Sequence, residues 1–287
     1  MATMVPQTDV ITPREAEEVA RANASGRVPV VLVHGLWLLP SSWERWAERF
    51  EEAGYAALTP SWPDDPETIQ EARAHPEVFA GKTLRRVADH VAAVIAGLDR
   101  TPVVMGHSTG GLIAQMLADR GLAVATVAID PGPFRGVLPL PVSTLRVSAP
   151  VLANPRNRGR AVALTFDQFK YGWANALGED EARTLYDGYH VAAPGVALMQ
   201  MANANLNPWT EARVHPANPD RGPLLIIEGE KDHTVPWAVA NAAYKRQRRN
   251  PGVTEIVKVA DRGHSLTIDH GWREVADTAL AFVQRFA

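Results

Sequence analysis

The chain has 287 residues, enough for one large domain or two small ones, with a core that hides about three quarters of the unfolded surface. Its 46% apolar and 21% charged residues exclude a disordered or collagen-like chain, and a net charge of −3 gives no electrostatic ground for binding nucleic acid. Cysteine is absent, which excludes disulfides and thiolate metal sites.

The N-terminus shows no charged-then-apolar leader pattern, and no apolar run approaches the roughly 18 residues that span a bilayer. The expectation is a soluble, cytoplasmic protein with neither membrane nor nucleic-acid partner. The basic run Lys245 to Arg249 is read as a solvated helix end, where positive charge suits the helix dipole.

Thr12 and Pro13 mark a helix start, with Glu15 to Ala22 continuing it. Val28 to Val33 is a buried strand closed by His34, Gly35 and Leu36. From Ser41 or Ser42 a helix carries Trp43, Trp46, Ala47 and Phe50 on one face. Tyr55 to Leu58 is a strand running into the proline-rich stretch Pro60 to Ala80, too long for an ordinary connection and a candidate wall of a binding site. Thr83 to Leu98 is an amphipathic helix.

Pro102 to Gly111 is the most informative stretch. Val103, Val104 and Met105 read as a buried strand, Gly106-His107-Ser108-Thr109-Gly110 follows as G-x-S-x-G, and Leu112 to Ala118 reads as a helix. A serine at the apex of such a turn is strained, and Gly106 and Gly110 remove side chains that would strike the crossing chain. The hydroxyl is lifted out, and N–H groups at the helix start face any negative charge forming beside it.

Val124 to Ile129 is another strand, ended by Asp130. The alternation then stops, and residues 134–221 read as an inserted helical cap, leaving 1–133 and 222–287 as the core domain. The pattern resumes with strand Leu224 to Glu228, helix Trp237 to Arg248, strand Val253 to Val259 and helix Trp272 to Phe286. Strands separated by helices imply right-handed crossovers and a parallel sheet covered on both faces.

A serine needs a base, usually a histidine oriented by a carboxylate, and in a parallel sheet such groups collect at the carboxyl ends of strands. Of nine histidines, His264 stands in a glycine-containing turn after the last strand. For the acid, Asp232 follows the strand at Leu224, Asp130 follows the strand before it, and Glu230 is a weaker rival.

Val33-His34-Gly35, Gly106-His107-Ser108-Thr109-Gly110, Gly229-x-x-Asp232 and Gly263-His264, in this order, resemble the α/β-hydrolase fold superfamily, nearest its esterase, lipase and haloperoxidase-like branches. The likeness covers about Val28 to Ala287 and implies an α/β fold with a mostly parallel sheet and a helical cap. Only about 27 residues precede the strand ending in His-Gly, with no strand pattern, so about six strands are expected where the superfamily commonly adds two more at that edge.

By the resemblance, Ser108 is the nucleophile, His264 the general acid/base and Asp232 the orienting carboxylate, with the main-chain N–H groups of Leu36 and Thr109 as the oxyanion hole. Neither metal nor organic cofactor is called for. The expected reaction is hydrolysis of a small-molecule carboxylic ester through an acyl-enzyme. Lactone opening, carbon-carbon bond hydrolysis and cofactor-free perhydrolysis are alternatives, and a non-catalytic ligand receptor is a more distant one. Trp37 and His107 are expected to touch substrate. Met199, Met201 and the cap aromatics suggest an apolar one of small or medium size.

Overall fold

The computed structural model describes residues 11–287. The absence of a leader pattern in the first ten residues therefore concerns a stretch outside the described ones.

Six strands form one parallel sheet: β1 (Pro29–Val33), β2 (Ala56–Leu58), β3 (Val103–His107), β4 (Ala125–Ile129), β7 (Leu224–Gly229) and β8 (Thr254–Val259), in the order β2-β1-β3-β4-β7-β8. The other two strands, β5 (Ala161–Val162) and β6 (Ala193–Pro194), make a short antiparallel ribbon. Valine and isoleucine fill the central strands because helices cover both faces. Along them the side chains alternate between two apolar layers. Val31, Val33 and Val104 point to the layer holding Ile113, Leu117 and Val91. Val30, Leu32, Val103 and Met105 point to the layer of Trp46, Phe50, Val275 and Phe282.

The edge beside β2 shows why the chain manages without strands before β1. Helix Pro13–Ser25, capped by Thr12 and Glu15 in a reciprocal capping box, lies against it. Arg14 reaches the Thr59 carbonyl at 3.1 Å and Arg21 the Ala57 carbonyl at 3.2 Å. Covering an edge in this way prevents its pairing with another chain. Inside this corner Glu15 is fully buried and accepts from Ser61 N–H at 2.9 Å and from His90 Nε2 at 3.0 Å. The cost of burial is outweighed by the His90 bond and by the bonds from Thr12, which hold the carboxyl below its usual pKa.

The expected elements are found with shifted ends. The helix after β1 opens with a 3-10 turn, Pro40–Trp43, before Glu44–Glu52, and the helix after Ser108 begins at Thr109 rather than Leu112. The stretch Pro60 to Ala80 contains helix Ile69–Ala74 and the 3-10 turn Pro76–Phe79. Between β4 and β7 lie helices Val142–Leu152, Phe166–Gly172, Glu179–Tyr189 and Gly195–Ala202. Phe79 and Ala72 pack with Val191 and Ala192 of that inserted segment, and Arg73 donates to the His190 carbonyl at 3.0 Å.

Candidate active site

β3 ends in the G-x-S-x-G turn, and Ser108 there adopts φ 56° and ψ −121°, a conformation that side chains rarely take. The two flanking glycines are forced by contact. A Cβ on Gly106 would stand 2.0 Å from the Gly110 carbonyl oxygen, and one on Gly110 would stand 2.1 Å from that of Val33. The turn after β1 closes on the same serine, since a Cβ on Gly35 would lie 2.9 Å from Ser108 Cβ.

Three side chains from three strand ends meet here. Ser108 Oγ lies 2.9 Å from His264 Nε2, and His264 Nδ1 lies 2.6 Å from Asp232 Oδ2. Because Nδ1 faces a carboxylate, it carries the ring proton and leaves Nε2 to accept from the serine hydroxyl. The other carboxylate oxygen of Asp232 accepts from Thr234 N–H at 2.6 Å and Val235 N–H at 3.0 Å, which fixes the acid. The imidazole of His264 stands edge-on to Trp173, with centroids 4.6 Å apart, and Ser265 N–H donates to the Trp173 carbonyl at 3.1 Å.

Two backbone N–H groups flank Ser108. That of Thr109 is the first of a helix and has no intrahelical acceptor. That of Leu36, in the turn pressed against Ser108, has no protein acceptor among the described residues. Trp37 follows with φ 64°; its buried indole donates to the Val162 carbonyl of β5 at 2.9 Å, and its own carbonyl accepts from Val191 N–H at 3.0 Å. Met201 reaches Thr109 Oγ1 with its sulfur at 3.8 Å.

His107 differs from its expected place beside a substrate. It is fully buried, its Nε2–H donates to the His264 carbonyl at 2.9 Å, and its ring packs 4.7 Å from that of His264. Burial, reinforced by the positive charge His264 can carry, keeps its pKa well below the ordinary histidine value. A neutral ring bracing His264 from behind has no N–H to offer a substrate on that nitrogen.

Two further acids stand behind the site. Asp130, with φ 41°, accepts from Gly229 N–H at 2.8 Å and places Oδ2 3.7 Å from His264 Nδ1, farther than Asp232. Burial, and then the neighbouring Asp232 charge, push its carboxyl well above the usual range. Glu228 on β7 is pushed up by burial and then by Asp130. Asp130, Glu228 and Asp232 have oxygens within 4.8 Å of one another, as do the donor atoms of His107, Asp130 and His264. In the second set His264 Nδ1 already faces the Asp232 carboxylate and His107 Nε2 faces the His264 carbonyl. The sequence signalled Asp130 by its place after a strand. Glu228 and Trp173 carried no such signal, being a strand residue and one of many aromatics in the inserted segment.

A family model described as "Alpha/beta hydrolase family" matches residues 30–278. The chain belongs to the alpha/beta hydrolase family. Its fold is shared with a monoacylglycerol lipase from Paleococcus ferrophilus, at 17% identity over 90% of this chain and 95% of that one, with a TM-score of 0.63. A putative non-heme bromoperoxidase, BpoC of Mycobacterium tuberculosis, aligns at 19% identity over 91% and 93% with a TM-score of 0.65. Polyneuridine aldehyde esterase aligns at 16% identity over 90% and 99% with a TM-score of 0.61. No curated protein sequence matches this alpha/beta hydrolase.

Proposed function

We propose that the protein is a serine hydrolase that cleaves carboxylic esters of small to medium apolar substrates through an acyl-enzyme. The observation that carries the reading is the unbroken line of hydrogen bonds from Ser108 Oγ through His264 to Asp232, ending at a strained elbow. In this scheme Ser108 Oγ attacks the ester carbonyl while His264 Nε2 takes its proton, and Asp232 stabilises the imidazolium that results. The oxyanion rests on the N–H groups of Leu36 and Thr109, which are already oriented before the reaction begins. His264 returns its proton to the leaving alcohol. It then draws a proton from water as the water oxygen attacks the acyl carbon, and passes that proton to Ser108 Oγ as the acyl–serine bond breaks and the acid leaves.

Residues 134–221 act as a cap in this reading, and Met201 beside Thr109 supplies apolar surface near the acyl group. Fold relatives named as lipases and esterases support ester substrates. The test is release of p-nitrophenol from acyl esters of about two to twelve carbons. The parent is expected to turn them over, with one preferred chain length, and Ser108→Ala to lose on the order of a millionfold in kcat. No turnover across the series, or equal turnover by Ser108→Ala, would remove the ester reading.

A further inference from the structure

Residues 131–166 contain five arginines (Arg135, Arg146, Arg156, Arg158 and Arg160) and no Asp, Glu or Lys, in a chain whose net charge is −3. Arg146, Arg156, Arg158 and Arg160 are exposed, and none of the five enters an ion pair among the described residues. Protein surfaces usually intersperse both signs, because a run of one sign repels itself.

The same segment exposes Leu138, Leu140, Val142 and Leu145, with Val142 81% accessible. Local chemistry explains why they stay outside. Pro139 and Pro141 hold the backbone extended, and helix Val142–Leu152 buries Val147, Ser148 and Val151, which lie on the face opposite Val142 and Leu145. A second turn adds to the patch. Gly136 N–H donates to Asn205 Oδ1 at 2.6 Å, Asn205 Nδ2 donates to the Val137 carbonyl at 2.8 Å and Arg135 reaches the Asn207 carbonyl at 3.4 Å. This stitches the turn bearing Leu206 and Trp209, 82% and 85% accessible, beside Leu138. Of the large apolar side chains exposed among the described residues, Val253 alone lies elsewhere.

We propose that this face docks on an anionic lipid bilayer, with Leu138, Leu140, Val142 and Trp209 entering the headgroup boundary and the arginines lying against lipid phosphates. Exposed apolar side chains on a segment that also carries unneutralised basic ones are the combination such an interface rewards, and an exposed tryptophan sits well at that depth. A second copy of the chain fits less well, since a two-fold contact would press the arginines against each other. A nucleic acid would leave the leucines in water. The expectation of no membrane partner came from the lack of a spanning run, and no helix among the described residues is long and apolar enough to cross a membrane. Contact with one leaflet needs no such helix. The inference stands apart from the proposed hydrolysis, because binding is read without turnover.

The experiment is co-sedimentation of the protein with vesicles of phosphatidylcholine, with and without phosphatidylglycerol, at low and high salt. The parent is expected to bind only the anionic vesicles, and more weakly as salt rises. Arg156→Ser, Arg158→Ser and Arg160→Ser together should weaken binding by on the order of a hundredfold. Leu140→Asn with Val142→Asn should weaken it by about tenfold or more at unchanged charge. Removing the same charge at exposed Arg27, Arg100 and Arg285 should leave it nearly unchanged. All the substituted residues are exposed, and thermal melting checks that each variant is folded. The proposal is overturned by a parent that binds no anionic vesicle, by binding that survives both sets of substitutions, by equal loss in the Arg27 set, or by a concentration-dependent dimer that the Leu140 and Val142 substitutions dissolve.

Discussion

Asp232 and Asp130 present His264 with two carboxyl groups at 2.6 and 3.7 Å, held in different surroundings. Two backbone N–H groups hold Asp232 in place, while burial and then the Asp232 charge push the Asp130 carboxyl above its usual range. Removing the Asp232 charge takes away the second cause of the raised Asp130 pKa and leaves Asp130 as the carboxyl facing His264 Nδ1. Asp232→Asn is therefore expected to retain more activity than the roughly ten-thousandfold loss typical of a misoriented triad histidine. Adding Asp130→Asn should bring the full loss. Equal kcat for the single and double variants would show that Asp130 contributes nothing. Ser108 and His264 stood out in the sequence by their glycine-containing turns at strand ends, whereas Asp232 was separated from Asp130 and Glu230 only by the family resemblance. Glu228 did not stand out, because a carboxylate within a strand becomes part of the site only through the β4 to β7 pairing that brings it to Asp130.

The connection after β2 carries an element that periodicity does not reveal. Lys82 and Asp65 are both buried and ion-paired, and Asp65 Oδ2 stands 3.2 Å from His34 Nε2 and accepts from Trp62 N–H at 3.2 Å. Trp62 in turn stacks on His34, with centroids 5.3 Å apart, and donates to its carbonyl at 3.2 Å. Burial lowers the Lys82 pKa, and the Asp65 charge opposes that shift. The pair thus braces the turn that brings Leu36 to Ser108. Asp65→Asn, which leaves the lysine charge buried without its partner, is expected to cost about 3 kcal/mol or more in urea unfolding. Lys82→Met with Asp65→Leu should recover much of that loss. No recovery would mean that the polar contacts to His34 and Trp62, rather than burial of the charge, set the cost. Pro60 to Ala80 looked irregular and polar because its buried partners lie in His34, in Lys82 and in the inserted segment, none of which local spacing can indicate.

Across the molecule, several buried groups bind protons differently from their unfolded counterparts. Burial, and then the Arg73 charge, lowers His190 to about 4, and its Nε2 accepts from Leu164 N–H at 3.1 Å, a bond only the neutral ring can make. Its stabilising effect is complete above the unfolded value of about 6.5 and is lost as pH falls from there to about 4, a loss of roughly 3 kcal/mol. His107, lowered in the same direction, adds to this loss. Asp130 and Glu228 have raised values, so their effect runs the other way: it is complete below the ordinary carboxyl range and is lost as pH rises from there towards their raised values. The two effects oppose each other as pH drops from about 6.5 towards 4, so His190→Gln, which removes the histidine's share, should make the melting temperature fall less or rise more than the parent's over that interval. An identical slope in the variant would shift the cause to other groups. At this scale the sequence was most legible. Six apolar runs announced the six parallel strands, while the two-residue strands β5 and β6 are too short to leave a pattern.

The neighbours β4 and β7 are separated by the whole of residues 130–223, and this fixes the order in which the site comes into being during synthesis. The elbow at Ser108 emerges from the ribosome with β1, β2 and β3, which can pair at once. Asp232 and His264 are translated only after the inserted segment. If the proposed hydrolysis holds, a nascent or truncated chain displays its serine without a base, and acquires a reactive hydroxyl only when the last crossover has closed.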